Sequence, residues 1–246
     1  MALAVLLCSF CLEAAEVGFL IEDRGQSIGQ TALVNDRMIY VAGTGGDPSS
    51  DLLFDASRQI LYLIEHDDRS YLQIDNQTID EVAALVDSVS GVVESQQGVV
   101  SDLLSTFGIS NTPQEPIAEL RDSGRQLAIG GFSCQLHQAH RNDKLQFEIC
   151  VTDNQQLKLN QEDYSTLKEF LVFSNRMQNK AGKLLTTLGI ILPKMDLASS
   201  KGLPIGLYSP GQGLKVRVTG IDSASKSTQL TVPAGYIRSS IPLVSG

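Results

Sequence analysis

Tryptophan is absent from this chain of 246 residues, and histidine occurs only three times. Beyond the first eleven positions there are only two cysteines, Cys134 and Cys150. Each shortage narrows the chemistry. Three histidines leave few ways to assemble an acid–base relay or an imidazole metal site. His137 and His140 form a His-x-x-His pair, but side chains three apart on a strand point to opposite faces, so the two do not share one metal. His66 adjoins Asp67 and Asp68, where a turn between strands accounts for the acids. With two cysteines read as bridged, no free thiolate remains to act as a nucleophile. No metal site, cofactor or catalytic constellation is expected, and the chain reads as a non-enzyme.

Positive charge is also scarce. Nineteen Lys and Arg stand against 28 Asp and Glu, a net charge of −9. That balance opposes nonspecific nucleic-acid binding, which needs phosphate neutralisation. No Lys or Arg precedes Arg24, so the apolar opening "MALAVLLCSFCLEAA" lacks a basic leader. Its length still matches a signal-peptide core and falls short of a bilayer span. Residues 1–15 are therefore expected to be a signal peptide removed near Ala15, leaving 16–246 as a single periplasmic or otherwise secreted domain. Cys8 and Cys11 follow Leu7 and Phe10 rather than a small residue, which disfavours lipid attachment.

What is present is a succession of short β-branched and aromatic runs. "GQTALV" and "RMIYVAG" flank Asn35-Asp36, a turn of the kind hairpins prefer. "LLFD", "QILYLIEH" and "SYLQI" follow, separated by "ASR" and "DDR". The glycine-rich "AGTGGD" lacks the lysine of a phosphate loop. The spacing of Asp47, Asp51 and Asp55 does not match a calcium loop.

From Asn76 the period lengthens. Thr78 and Glu81 have capping-box spacing, and Ile79, Val82, Val86, Val89 and Val93 recur at three- and four-residue steps. A helical segment is expected near 77–108. A second, near 160–189, is capped by Asn160 and striped by Tyr164, Leu167, Leu171, Ala181, Leu184 and Leu188. "LPIGLYS", "LKVRVTGI" and "TQLTVPAGY" complete the strands. The expected fold class is α+β: a strongly curved antiparallel sheet, an open half-barrel, with two long helical segments packed on it.

The stretch "GGFSCQLHQAHRNDKLQFEICVTD" reads as a hairpin closing at Arg141-Asn142-Asp143. That register sets Cys150 opposite Cys134, within reach of a disulfide. A disulfide implies an oxidising compartment. In the central meander Leu61 and Leu63 share one face with Phe54, Tyr71 and Ile74 near them, a candidate lining for an apolar ligand. Ile60, Tyr62 and Ile64 make the other face equally apolar, so both faces must be covered. Arg176, Lys180 and Lys183 line one side of the second helix. They form a solvated face or a candidate site for an anionic partner.

"LYLIEHDDRS…YLQID", "IGGFSCQLHQ…EICVTD" and "TQLTVPAGY" occur in this order in a group of secreted bacterial proteins. Through these stretches the chain resembles the family known as domain of unknown function 4412, over most of 17–240. That family is similar in layout to the periplasmic lipoprotein carriers (LolA-like), an unclosed barrel with helices in its mouth. The resemblance implies a non-catalytic protein that binds an acyl chain or a lipidated partner in the concave face of its sheet. The alternative is an envelope interaction protein whose sheet is filled by its own helices.

Overall fold

The computed structural model describes residues 14–81, 83–84, 118–187, 200–211, 213–225 and 230–239. Six strands succeed one another from the N-terminal side: β1 (Ala14–Asp23), β2 (Gln26–Val34), β3 (Met38–Val41), β4 (Ser50–Asp55), β5 (Ile60–Glu65) and β6 (Ser70–Ile74). A second series runs β7 (Glu119–Ile129), β8 (Phe132–Arg141), β9 (Lys144–Thr152), β10 (Leu203–Ser209) and β11 (Leu214–Ser225). Antiparallel pairing of β1 with β11 joins the two meanders. The last strand, β12 (Ile237–Ser239), returns to lie parallel to β6. The sheet order is β12-β6-β5-β4-β3-β2-β1-β11-β10-β9-β8-β7, an open sheet of 12 strands.

Local chemistry explains the hairpins. Arg24-Gly25, Gly130-Gly131 and Asn142-Asp143 each have positive φ at both positions. That is the primed two-residue turn whose twist suits an antiparallel pair. Between β2 and β3 the turn is longer, and Asn35 Oδ1 accepts the backbone N–H groups of Arg37 and Met38. At the entry to β3, Arg37 makes a two-pronged contact with the buried Asp55, with Nη2 donating to Oδ2 at 2.9 Å. Burial opposes ionisation of Asp55, but donors from Arg37, Ser57 and Arg58 more than offset it and hold the carboxyl below its ordinary range.

One long helix, Gln161–Thr187, crosses a face of the sheet. Asn160 caps it as expected: Asp163 N–H donates to Asn160 Oδ1 at 2.6 Å, and Asn160 Nδ2 donates to Asp163 Oδ2. Phe173 and Met177 are buried against Val34, Ile39, Phe54, Leu61 and Ile74. Phe54 meets Phe170 and Phe173 with ring centroids 5.2 Å apart in each case. Nearer the helix start, Tyr164, Leu167 and Leu171 pack on a second cluster holding Ala15, both cysteines, Leu203 and Ile205. A one-turn helix, Asn154–Leu157, capped by Asp153, closes the end of that cluster.

The expected fold class needs correction. The molecule is dominated by one large mixed sheet, because β12 pairs parallel to β6, and two long helical segments are not shown. The segment expected at 77–108 is helical at residues 76–81 and 83–84, and its remainder lies outside the described residues. Its cap is Asp75 rather than the Thr78–Glu81 pair, since Asp75 Oδ1 accepts from both Thr78 N and Thr78 Oγ1. Among its described residues "TQLTVPAGY" does not yield a strand: residues 230–236 are irregular, and β12 begins just after them. Pro233 and the positive φ of Gly235 explain that, since neither suits a central ladder.

The irregular segment has a structural use. Leu230, Val232 and Tyr236 cover the sheet face formed by Leu53, Ile60, Tyr62 and Ile64. The double apolar face of β5 is thus covered by the long helix on one side and by this strap on the other. Ala14 and Ala15, where leader removal was expected, are buried at the start of β1, with Ala14 opposite Ser225 and Ala15 opposite Val34.

Candidate functional site

An apolar cavity of about 110 Å³ lies between the long helix and the β1–β11–β10 part of the sheet. Leu167, Phe170 and Leu171 form its roof, one face of the helix by their three- and four-residue spacing. Val17, Val218 and Ile221 come from β1 and β11, and Leu203, Pro204 and Ile205 from β10. Leu157 and Leu159 close it beside the one-turn helix. Leu203 and Ile205 lie two apart on one strand and so share a face, as do Val216 and Val218, of which only Val218 reaches the cavity. None of the described lining residues carries a polar side chain.

Several devices hold the walls. Asp163, buried at the helix start, has its carboxyl pushed up to about 6, first by burial and then by the charges of Asp36 and Glu162, against the bond from Asn160. Lys168 Nζ donates to Ser200 O at 2.8 Å and to Gly202 O at 3.3 Å, fixing the entry to β10 against the helix. The disulfide between Cys134 and Cys150, with Cα atoms 5.4 Å apart, ties β8 to β9 within the same cluster. Gly206 leaves room for Ile129 at the end of β7, since a Cβ there would lie 2.4 Å from Ile129 Cδ1.

The residues expected to line a ligand site are elsewhere. Phe54, Leu61 and Ile74 are buried beneath Phe173 and Met177, with Leu63 packed beside them. Tyr71 is on the opposite face with the strap, its ring centroid 5.9 Å from that of Tyr62. None of the five lines the cavity. Of the basic residues on the long helix, Arg176 bonds Asn76 Oδ1 and Lys180 pairs with Asp80, so both fasten the helix that starts at residue 76. The side chain of Lys183 lies outside the described residues.

His66 does not use its sequence neighbours. Its Nε2 lies 2.6 Å from Asp51 Oδ2, and its Nδ1 lies 2.8 Å from Tyr236 Oη of the strap. Tyr40 Oη donates to the same Asp51 oxygen at 2.5 Å, and Gly43 N–H donates to the other at 3.1 Å. Burial works against the Asp51 charge, yet these donors hold it below its usual range. Burial, with the bond to Asp51, pushes the Tyr40 phenol up. Both ring nitrogens are occupied in joining β4, β5 and the strap.

Gly25-Gln26-Ser27-Ile28-Gly29 has the spacing of a serine nucleophile elbow. Here it is the β1–β2 turn and the start of β2, with Ser27 opposite Glu22, not a strand-to-helix corner. Among the described residues no group of three or more His, Cys, Asp or Glu is placed to hold a metal ion. Nor is any described helix long and apolar enough to cross a membrane.

No family model matches the chain, and no curated protein matches it in sequence. The resemblance to domain of unknown function 4412 thus has no matching model behind it. Solved structures give faint likenesses. PNGF-II is similar at 9% identity and a TM-score of 0.45, over 94% of this chain and 31% of that one. This chain therefore spans about a third of PNGF-II. An uncharacterised conserved protein from Thermus thermophilus is similar at 7% identity and a TM-score of 0.41, over 92% and 90% of the two chains. The Pseudomonas aeruginosa MucA/MucB complex is similar at 9% identity and a TM-score of 0.33, over 91% and 56%. None of these scores reaches 0.5, too little to give this chain the role of any of them.

Proposed function

We propose that this is an exported, non-catalytic binding protein that holds the apolar part of a ligand, an acyl chain or the lipid of a modified partner, in the cavity beneath the long helix. The observation that carries the reading is the apolar lining that the described residues give that cavity, built from the sheet and from the segment that follows β9. Burial of hydrocarbon there contributes about 0.8 kcal/mol per methylene. The disulfide supports an oxidising compartment, where such bridges persist. The polar groups around His66 are consumed in structural bonds, which supports binding over catalysis.

The test is titration of delipidated protein with a fluorescent fatty acid, with native mass spectrometry of protein taken directly from cells. Saturable binding, or a co-purified lipid, is expected. Failure of both sinks the reading.

A second reading, an envelope interaction protein with a self-filled sheet, draws on a different observation. Phe170, Phe173 and Met177 pack over Phe54 and Leu61, so that this part of the sheet is covered by the protein's own helix. N-terminal sequencing of protein from the envelope fraction tests export. A start near Glu16 is expected, and an intact Met1 on cytoplasmic protein argues against it.

A further inference from the structure

The cavity's dimensions and lining bear on what class of group it takes, an inference that rests on the apolar-site reading above. We infer that the bound group is a small uncharged hydrocarbon unit, the size of an aromatic ring or the tip of an alkyl chain, and that a longer ligand leaves the rest of its length outside.

Size comes first. The volume is about 110 Å³. A dry apolar cavity of ~150 Å³ in another protein admits benzene or xenon. The space here is of that order and smaller. A long acyl chain does not fit within it, whereas a ring or roughly four to six carbons of a chain end does.

Charge comes second. The described lining residues offer no side-chain hydrogen-bond donor or acceptor, so an ionised or strongly polar head against them would lose its hydration without replacement. Lys168, which flanks the roof residues Leu167 and Leu171 on the helix, is turned to the carbonyls of Ser200 and Gly202. The polar end of any ligand must therefore stay in water.

Rigidity comes third. The cavity is bounded by the β1–β11–β10 ladder and the capped start of the helix, beside the Cys134–Cys150 bridge. A wall of this kind adapts little, since packed interiors do not deform continuously. Growth of the ligand is thus not matched by growth of the space.

The experiment measures the affinity of purified delipidated protein for benzene, toluene and indole by ligand-induced change in NMR spectra, and for a series of linear carboxylic acids from six to sixteen carbons. Leu171, a half-buried roof residue, is varied to Phe and to Ala, with the thermal midpoint of each variant confirming that it folds. The expected result has three parts. The ring-sized probes bind saturably; affinity in the acid series levels off at about six carbons; Leu171→Phe weakens ring binding at least tenfold, while Leu171→Ala moves the preference to larger probes. If affinity instead climbs about fourfold per added methylene up to sixteen carbons, a whole chain is being buried. The size inference is then wrong, and the apolar-site reading stands. Absence of binding by every probe overturns both. Should Leu171→Phe fail to fold, the chain-length profile of the unaltered protein decides alone.

Discussion

Cys134 and Cys150 are bridged without standing opposite one another. Cys150 lies across from Leu136, and Cys134 lies across from Leu127 of β7. The hairpin closes on Asn142-Asp143, and a register shift between Ala139 and His140 displaces the pairing further up the strands. The two cysteines therefore meet diagonally on one face of β8–β9. The bridge closes a loop with a sequence separation of 16. Chain-entropy reasoning puts its contribution at about 3 kcal/mol. Urea unfolding of the Cys134→Ser/Cys150→Ser double variant is expected to lose stability by that amount. In unreduced, denatured wild type neither position is expected to take a thiol label.

Asp163 makes stability depend on pH in a direction opposite to most carboxylates. Its folded-state value of about 6 is above the ordinary aspartate value, so the folded form holds its proton longer than the unfolded chain. The associated stability is full below the unfolded value, near pH 4, and is lost as pH rises through about 6. Asp163→Asn keeps an acceptor for Asn160 and removes the titration. The variant should be more stable than wild type at pH 7 by on the order of 1–2 kcal/mol, with the difference shrinking toward pH 4. Thermal melts across that range measure it. An unchanged difference at both ends would contradict the assignment.

The strap hangs on few bonds. Tyr236 Oη meets His66, Ile237 N–H donates to Arg69 O, and Ser239 Oγ donates to Tyr71 O. Tyr236→Phe removes the first and leaves the His66 ring without that partner, at a cost of about 1 kcal/mol. Hydrogen exchange should accelerate in β6, at the edge where β12 pairs, and in 236–239. The long helix should keep its protection. Equal acceleration throughout would mean that the strap is an inseparable part of the global fold.

Phe54 tests the division between core and cavity. It is fully buried against Phe170 and Phe173 but absent from the cavity lining. Phe54→Ala is expected to cost about 3–5 kcal/mol in denaturant unfolding. Probe affinity, measured where the variant remains folded, should change less than threefold. A tenfold loss of affinity would show that the two regions communicate.

Much of the strand plan was legible because its determinants are local. The continuous apolar run "ILYLIE" and the turn formers Asn35 and Asn142-Asp143 act within a few residues, and β2–β6 and β8–β11 lie where those patterns put them. Asn160 as a cap was equally local. The cysteine pair could be read because two cysteines beyond the leader leave one pairing, although the expected register was wrong.

What covers each face was not local, and only the tertiary structure decided it. The apolar content of β5 on both sides could be read from the sequence. That Phe173 and Met177 cover one side and Leu230 and Tyr236 the other could not. Nor could the choice of Asp51 over Asp67 and Asp68 by His66, whose partner on the strap is 170 residues away. The cavity was hidden for the same reason. Its lining is drawn from β1, β10, β11 and the segment from Leu157 to Leu171, and each contributes ordinary core residues. Periodicity tells a side chain which way to point, while the space left between elements depends on how all of them pack.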